Sequence, residues 1–177
     1  MIKTKSKDVQ YWEDRYRKDK TGWDMHQVSP PLKAYFDQIL DKNIKILIPG
    51  CGNAYEAEYI HKAGFANVHV VDLAETAIQN LQSRYPDFPS DQLHLGDFFE
   101  HQSQYDLIVE QTFFCAIDRH LRPDYVTKCH DLLRDGGKIA GLLWAKEMSI
   151  DSPPFGGDAA EYRSLFSPLF QIEQMEI

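Results

Sequence analysis

The sequence predicts an α/β fold, a doubly wound, mostly parallel sheet with helices on both faces, and three observations carry that expectation. Short hydrophobic runs suited to buried strands alternate with helical-period segments along nearly all of the 177 residues. The first run leads into a glycine turn that opens a helical pattern, Lys45-Ile46-Leu47-Ile48-Pro49-Gly50-Cys51-Gly52-Asn53. The next run, Val68-His69-Val70-Val71-Asp72, stops on an acid 20 residues after Gly52. That is close to the roughly 20 at which a ribose-binding carboxylate follows a glycine turn across one crossover.

The elements follow in order. Residues 9–16 are aromatic and charged and suit a short helix. Ser29-Pro30-Pro31 starts the next, with Ser29 as the cap and proline in the first turn. Behind it Leu32, Tyr35, Phe36, Ile39 and Leu40 form one apolar stripe at helical spacing. The first strand is expected at 44–48, then a helix at 55–63 closed by Gly64 in a left-handed cap. The second strand spans 68–71, a helix runs from about 75 to 85, and the third strand spans 93–95 before Gly96-Asp97-Phe98-Phe99. The fourth strand is 105–109. Pro123 starts a helix that turns Val126, Cys129, Leu132 and Leu133 inward, and Asp135-Gly136-Gly137 leads into a fifth strand at 138–144. Asp158 and Glu161 have capping-box-like spacing and open a last helix. Phe170, Ile172, Met175 and Ile177 alternate with Gln171, Glu173, Gln174 and Glu176, with one slip at 174–175, and predict a sixth strand.

One domain over residues 1–177 is expected from this length and a hydrophobic content of 43%. The formal charge is −8, and the basic residues are scattered apart from Lys3, Lys5 and Lys7. Such a surface repels a phosphate backbone and argues against nucleic acid as substrate or partner. Cys51, Cys115 and Cys129 show no CxxC or CxxH spacing, and the seven histidines form no HExxH, so neither zinc nor a disulfide framework is indicated. No apolar run approaches the roughly 18 residues of a membrane span, and no signal-type segment follows Met1. No membrane partner is expected, and a reducing cytoplasm is the simplest location.

The glycine turn points to a ligand without phosphates. A dinucleotide fingerprint would place its third glycine at Tyr55, where a pyrophosphate needs a close helix approach. S-adenosylmethionine has ribose and adenine but no phosphate, so Gly50, Gly52 and Asp72 favour it over NAD. The alternative for the glycines is that they merely turn the chain.

Together, Gly50-x-Gly52, Asp72, Gly96-Asp97-Phe98 and the Gly136-Gly137 turn resemble the class I S-adenosylmethionine-dependent methyltransferases, which have a Rossmann-like fold. The resemblance implies that Asp97 bonds the adenine amino group and Phe98 flanks the ring. Read alone, Asp97 could cap a turn and Phe98 could belong to the core. Trp12-Glu13-Asp14-Arg15-Tyr16, Trp23-Asp24, Pro31, Ile48-Pro49-Gly50-Cys51-Gly52, Phe113-Phe114-Cys115-Ala116-Ile117, Arg122-Pro123 and Pro153-Pro154-Phe155 narrow the resemblance to the thiopurine methyltransferase superfamily. The pattern is nearest to the plant-type halide and thiol methyltransferases. What this implies is an N-terminal lid over the cofactor, residues 9–28, carried by Trp12, Tyr16 and Trp23, with Tyr16 replacing the tryptophan usual in the plant proteins. Gln111, directly after the fourth strand, joins the expected cofactor contacts. Asp24, Gln27, Phe113, Phe114 and Phe155 are expected to wall a pocket for a small-molecule methyl acceptor.

The expected activity is methyl transfer from S-adenosylmethionine to a small soft nucleophile: a thiol, a thiopurine-like heterocycle, hydrosulfide or a halide. Aromatic faces attract a sulfonium cation and exclude water from it. A nucleophile that arrives as an anion needs no general base. No Ser-His-Asp or Cys-His set and no carboxylate pair suited to acid-base work is found, so no catalytic side chain is assigned. Cys115 has no activating partner in the sequence and reads as a packing residue. Ser152-Pro153-Pro154-Phe155 imitates a signature of DNA amino methyltransferases, but that motif belongs directly after the fourth strand, where Glu110-Gln111-Thr112-Phe113 stands. Two rivals are a cofactor-binding sensor without transferase activity and an NAD-dependent oxidoreductase. The family fold usually carries a seventh, antiparallel strand, which the pattern lacks; a gap or unpaired edge is therefore expected, with residues beyond Ile177 missing or truncated.

Overall fold

The computed structural model describes residues 9–176; the basic cluster at Lys3, Lys5 and Lys7, and Ile177 of the expected sixth strand, lie outside the described residues. The element order is α1 (Val9–Arg17), α2 (Pro30–Asp37), β1 (Lys45–Pro49), α3 (Tyr55–Lys62), β2 (Asn67–Asp72), α4 (Glu75–Arg84), β3 (Leu93–Leu95), β4 (Tyr105–Gln111), α5 (Arg122–Leu132), β5 (Leu133–Leu142) and α6 (Ala159–Phe166). Five parallel strands form one sheet in the order β3-β2-β1-β4-β5. The order reverses between β1 and β4, which makes their C-terminal ends the crevice where ligands bind in such sheets.

Both faces of the sheet are covered, which is why Ile46, Leu47 and Ile48 are all buried instead of alternating. Ile46 and Ile48 face a core with Leu32 and Phe36 of α2, Ala57 and Ile60 of α3, and Ile78 and Leu81 of α4. Leu47 faces the opposite core, built with Tyr125, Val126 and Cys129 of α5 and Tyr162 and Phe166 of α6. No helix joins β3 to β4. The loop that replaces it lays His101 against His94, ring centres 4.9 Å apart, and His94 Nε2 lies 2.9 Å from His69 Nδ1. Burial lowers the pKa of all three imidazoles.

Local chemistry sets the element ends. Gly64 (φ +95°) donates to the His61 carbonyl and Phe65 to that of Ile60, which closes α3 with the pair of bonds of a Schellman motif. Asp158 caps α6 as its spacing predicts, accepting from the Glu161 amide at 2.8 Å. Ser29 does not cap α2 with its side chain; its backbone N–H instead donates to Glu56 Oε1 at 2.9 Å. The helix ends at Asp37, so the predicted stripe breaks there and Leu40 is 92% exposed. β5 begins earlier than expected, and Asp135-Gly136-Gly137 forms an irregularity within it, where the pairing jumps from Tyr105–Leu133 to Leu107–Lys138.

The predicted sixth strand is corrected: residues 170–176 form no strand. Phe170, Ile172 and Met175 pack partly buried on the α5–α6 core, while Glu173 reaches Lys138 of β5 at 2.8 Å. The alternation reported one buried side of an extended segment, not a hydrogen-bonded ladder. Among the described residues no helix is long and apolar enough to cross a membrane.

Candidate active site

The C-terminal ends of all five strands open onto a cavity of about 630 Å³. Gly50 and Gly52 follow β1, Asp72 ends β2, Gly96-Asp97-Phe98 follows β3, Gln111 ends β4, and Trp144 lies two residues past β5. Gly50 and Gly52 hold φ near +55°, which suits glycine. Their purposes differ. A Cβ on Gly50 would overlap the ring of Phe113, so this glycine makes room for the loop after β4 and not directly for a ligand. A Cβ on Gly52 would meet the Tyr16 hydroxyl at 3.4 Å and Trp23 Nε1 at 3.7 Å.

Asp72 holds the turn together. Its Oδ2 accepts from the Gly52 amide at 2.9 Å and its Oδ1 from the Ala74 amide at 2.8 Å. Burial raises the carboxyl pKa, and those amide bonds pull it back. Each oxygen retains further acceptor capacity on a carboxylate that lines the cavity. Asp97 also lines it while Oδ1 accepts from the Phe99 amide at 2.9 Å, so it caps its own turn and still presents a carboxylate. Phe98 is both core and lining, 3% exposed and packed on Phe113 and Tyr125. The Gln111 amide oxygen is buried in the cavity wall with no hydrogen-bond partner among the described residues. An orphaned acceptor of this kind calls for a donor from a ligand or water.

The roof comes from α1 and the segment behind it. Trp12 and Trp23 meet edge to face with centres 5.7 Å apart, and Tyr16 meets Trp23 in the same manner at 6.0 Å. Burial, with Asp72 and Cys51 nearby, pushes the Tyr16 phenol well above its ordinary pKa, so it stays protonated.

The expected acceptor-pocket residues divide. Phe113 lines the cavity, with Cys115, Ala116 and Ile117 beyond it. Phe114 does not; it is 1% exposed and packs on Tyr125, Tyr162 and Phe166 in the core. Phe155 is likewise buried, and its loop contributes Pro153 and Pro154 to the wall instead. Asp24 and Gln27 face a small neighbouring cavity of about 40 Å³, not the main one. Asp24 is held there by Asn53 Nδ2 and by the His26 amide. Phe113 and Phe114 are indistinguishable in sequence, and the turn sends one to the cavity and the other into the core. Cys115 is buried, and its thiol pKa is pushed up to about 12, chiefly by burial, in keeping with a packing role.

Sequence reasoning missed Arg15, Met25, Trp144 and Met148 among the lining residues. Two of these had a signal. Arg15 shares the helical face of Trp12 and Tyr16 through its i+3 spacing, and Trp144 falls at a strand C-terminal end. Arg122, which entered the sequence pattern without an assigned role, is buried and donates to Glu161 and to the carbonyls of Phe155 and Gly156, at 2.6, 3.2 and 2.9 Å, and so fixes the 153–157 loop against α5.

These features define a class: an α/β protein with an aromatic-roofed crevice for a nucleoside-type ligand at its switch point. The chain belongs to the thiopurine S-methyltransferase (TPMT) family, whose sequence model matches residues 7–177. It is 27% identical over 165 residues to a probable thiol methyltransferase 2 of Arabidopsis thaliana, covering 89% of this chain and 72% of that one. It is 26% identical over 180 residues to a thiopurine S-methyltransferase of Vibrio parahaemolyticus, with coverage of 91% and 82%. Among solved structures it shares its fold with 1,6-didemethyltoxoflavin-N1-methyltransferase of Burkholderia thailandensis, which carries bound S-adenosylhomocysteine. That match has a TM-score of 0.73 at 16% identity, and covers 91% of this chain and 75% of the other.

Proposed function

We propose that this protein is an S-adenosylmethionine-dependent methyltransferase acting on a small soft nucleophile, a thiol, a thiopurine-like heterocycle, hydrosulfide, thiocyanate or a halide. The observation that carries the reading is one cavity in which Asp72, Asp97 and the unpartnered Gln111 amide oxygen converge beneath an aromatic roof. When bound, S-adenosylmethionine supplies an electrophilic methyl group on a sulfonium sulfur.

Asp72 accepts the ribose hydroxyls with the lone pairs its backbone partners leave free, and Asp97 accepts the adenine amino group beside Phe98. The orphaned Gln111 oxygen takes a donor from the cofactor or its acceptor. Trp12, Tyr16 and Trp23 face the cation and exclude water, which strengthens every electrostatic contact beneath them. Phe113, Cys115, Ala116, Ile117, Pro153 and Pro154 form an apolar acceptor wall, which favours weakly hydrated, polarisable nucleophiles. No side chain is placed as a general base; alignment and desolvation of an anionic acceptor are the protein's contribution. Residues 1–177 act as one domain with 9–28 as its lid, in the cytoplasm, where reduced cysteines such as the three free thiols here persist.

Calorimetric titration with S-adenosylmethionine and separately with NAD tests the cofactor. Micromolar S-adenosylmethionine binding with no NAD signal is expected. Binding of neither, or of NAD alone, would overturn the reading.

A further inference from the structure

Glu110 is a buried carboxylate that no step above employs, 2% exposed near the end of β4. Three donors converge on it. Oε1 accepts from the Phe113 amide at 2.9 Å and from the Phe114 amide at 2.8 Å, and Oε2 accepts from the Tyr125 hydroxyl of α5 at 2.8 Å. The chain between them passes through Thr112 at φ +61°, a conformation costly for a β-branched residue unless its surroundings hold it. The glycine opposite on β5 fits this arrangement, since a Cβ on Gly141 would overlap the Glu110 side chain.

The carboxylate supports two walls of the cavity. Directly it fixes the turn that carries Phe113, Cys115, Ala116 and Ile117. Indirectly it fixes the second wall, because the Cys115 carbonyl accepts from the Phe155 amide at 2.7 Å and so anchors the loop bearing Pro153 and Pro154. We infer that Glu110, in its ionised form, is the positioning residue of the acceptor pocket, and that protonating it loosens the 112–117 turn and weakens acceptor binding without displacing the cofactor. This rests on the proposed methyltransferase reading for what the pocket holds.

The ionised form matters because two amide N–H groups and a phenol can all be accepted by a carboxylate, whereas a carboxylic acid must itself donate and competes with one of them. Burial raises the Glu110 pKa to about 7 against the pull of the Phe114 amide, Tyr125 and the Phe113 amide. The other titratable groups facing it are silent in that range. Tyr125 and Cys129 of α5 are pushed well above their ordinary values by burial, and Cys115 is pushed up to about 12. Arg122 is engaged with Glu161, and on β5 it is Gly141 that pairs opposite Glu110.

The test uses iodide as acceptor, because iodide does not titrate. With S-adenosylmethionine saturating, the KM for iodide should rise about tenfold from pH 8 to pH 6, as the competent fraction falls, with kcat little changed. Glu110→Gln should fix KM near its low-pH value at every pH, while S-adenosylhomocysteine affinity stays that of the wild type. A variant with wild-type KM and pH profile would overturn the inference. A readout independent of turnover and of the variant's folding is amide hydrogen exchange at Phe113 and Phe114 in the wild type, corrected for intrinsic rate. Protection should fall as pH drops through 7, and unchanged protection would contradict the inference. Loss of protection with no methyl transfer to any acceptor would instead sink the methyltransferase reading and leave the positioning role standing.

Discussion

Asp72 joins two tasks that the sequence separates only in part. The 20-residue spacing from Gly52 located the carboxylate, but not that the Gly52 amide would be one of its partners. Truncating it therefore removes the carboxylate proposed to hold the ribose and loosens the glycine turn together. Asp72→Ala should weaken S-adenosylmethionine binding by about 1.5–3 kcal/mol, the worth of hydrogen bonds to a charged group. Calorimetry measures this, and unchanged affinity would remove Asp72 from the cofactor site. Residue identity was legible wherever a backbone constraint selects it, as at Gly50, Gly52 and Asp72. Side-chain direction was not: Phe113 and Phe114 are identical in sequence, yet one lines the cavity and the other fills the core. Glu110 was hidden for a related reason, since its partners are backbone amides three and four residues ahead and a tyrosine on another element.

Helix α1 shows how an element can be foreseen while its anchor is not. The family resemblance led to the expectation of a lid here, but the contact that docks the helix is Glu13, a buried acid that accepts from the Thr76 amide at 3.0 Å and the Thr76 hydroxyl at 2.6 Å. Ala74, the N-cap of α4, has no side-chain acceptor, so Glu13 caps that helix from outside and meets the positive end of its dipole. Burial alone would raise the Glu13 pKa; the Thr76 bonds and Arg17 outweigh it and hold the pKa below the ordinary value. The stabilisation is accordingly present above the ordinary carboxylate pKa and is lost as pH falls through the lowered one. Glu13→Ala should free α1 from α4 and weaken S-adenosylmethionine binding about fivefold to tenfold, through the smaller fraction of closed lid. Tryptophan fluorescence titration checks it, because Trp12 and Trp23 report on the roof, and wild-type affinity would contradict a lid function. Most elements were legible to within a residue or two, whereas α2 stops three residues short of its apolar stripe and β5 starts five residues early. The last segment was not legible, because side-chain alternation is identical for a paired strand and for an extended segment packed on one side.

Across the whole molecule, the alternation of strands and helices fixed the fold class, and the crossover directions follow from it: α3 and α4 pack on one face, α5 and α6 on the other. The strand reversal then brings five separate turns to one edge, and residues from 12 to 154 into a single cavity. That convergence is what a chain pattern cannot display, although each contributing turn can be read from it. The surface charge of −8 disfavours polyanionic partners but does not exclude a small anion entering an apolar pocket that also exposes Arg15. The central claim is methyl transfer to a soft nucleophile, and acceptor-dependent formation of S-adenosylhomocysteine tests it most directly. The protein would be incubated with S-adenosylmethionine and, in turn, a small thiol, a thiopurine, hydrosulfide, thiocyanate and iodide, with both products quantified by mass spectrometry. The account predicts that at least one of these yields methylated acceptor and S-adenosylhomocysteine in equal amounts. Tight S-adenosylmethionine binding with no acceptor-dependent product from any of them would contradict it and identify a sensor or interaction module instead.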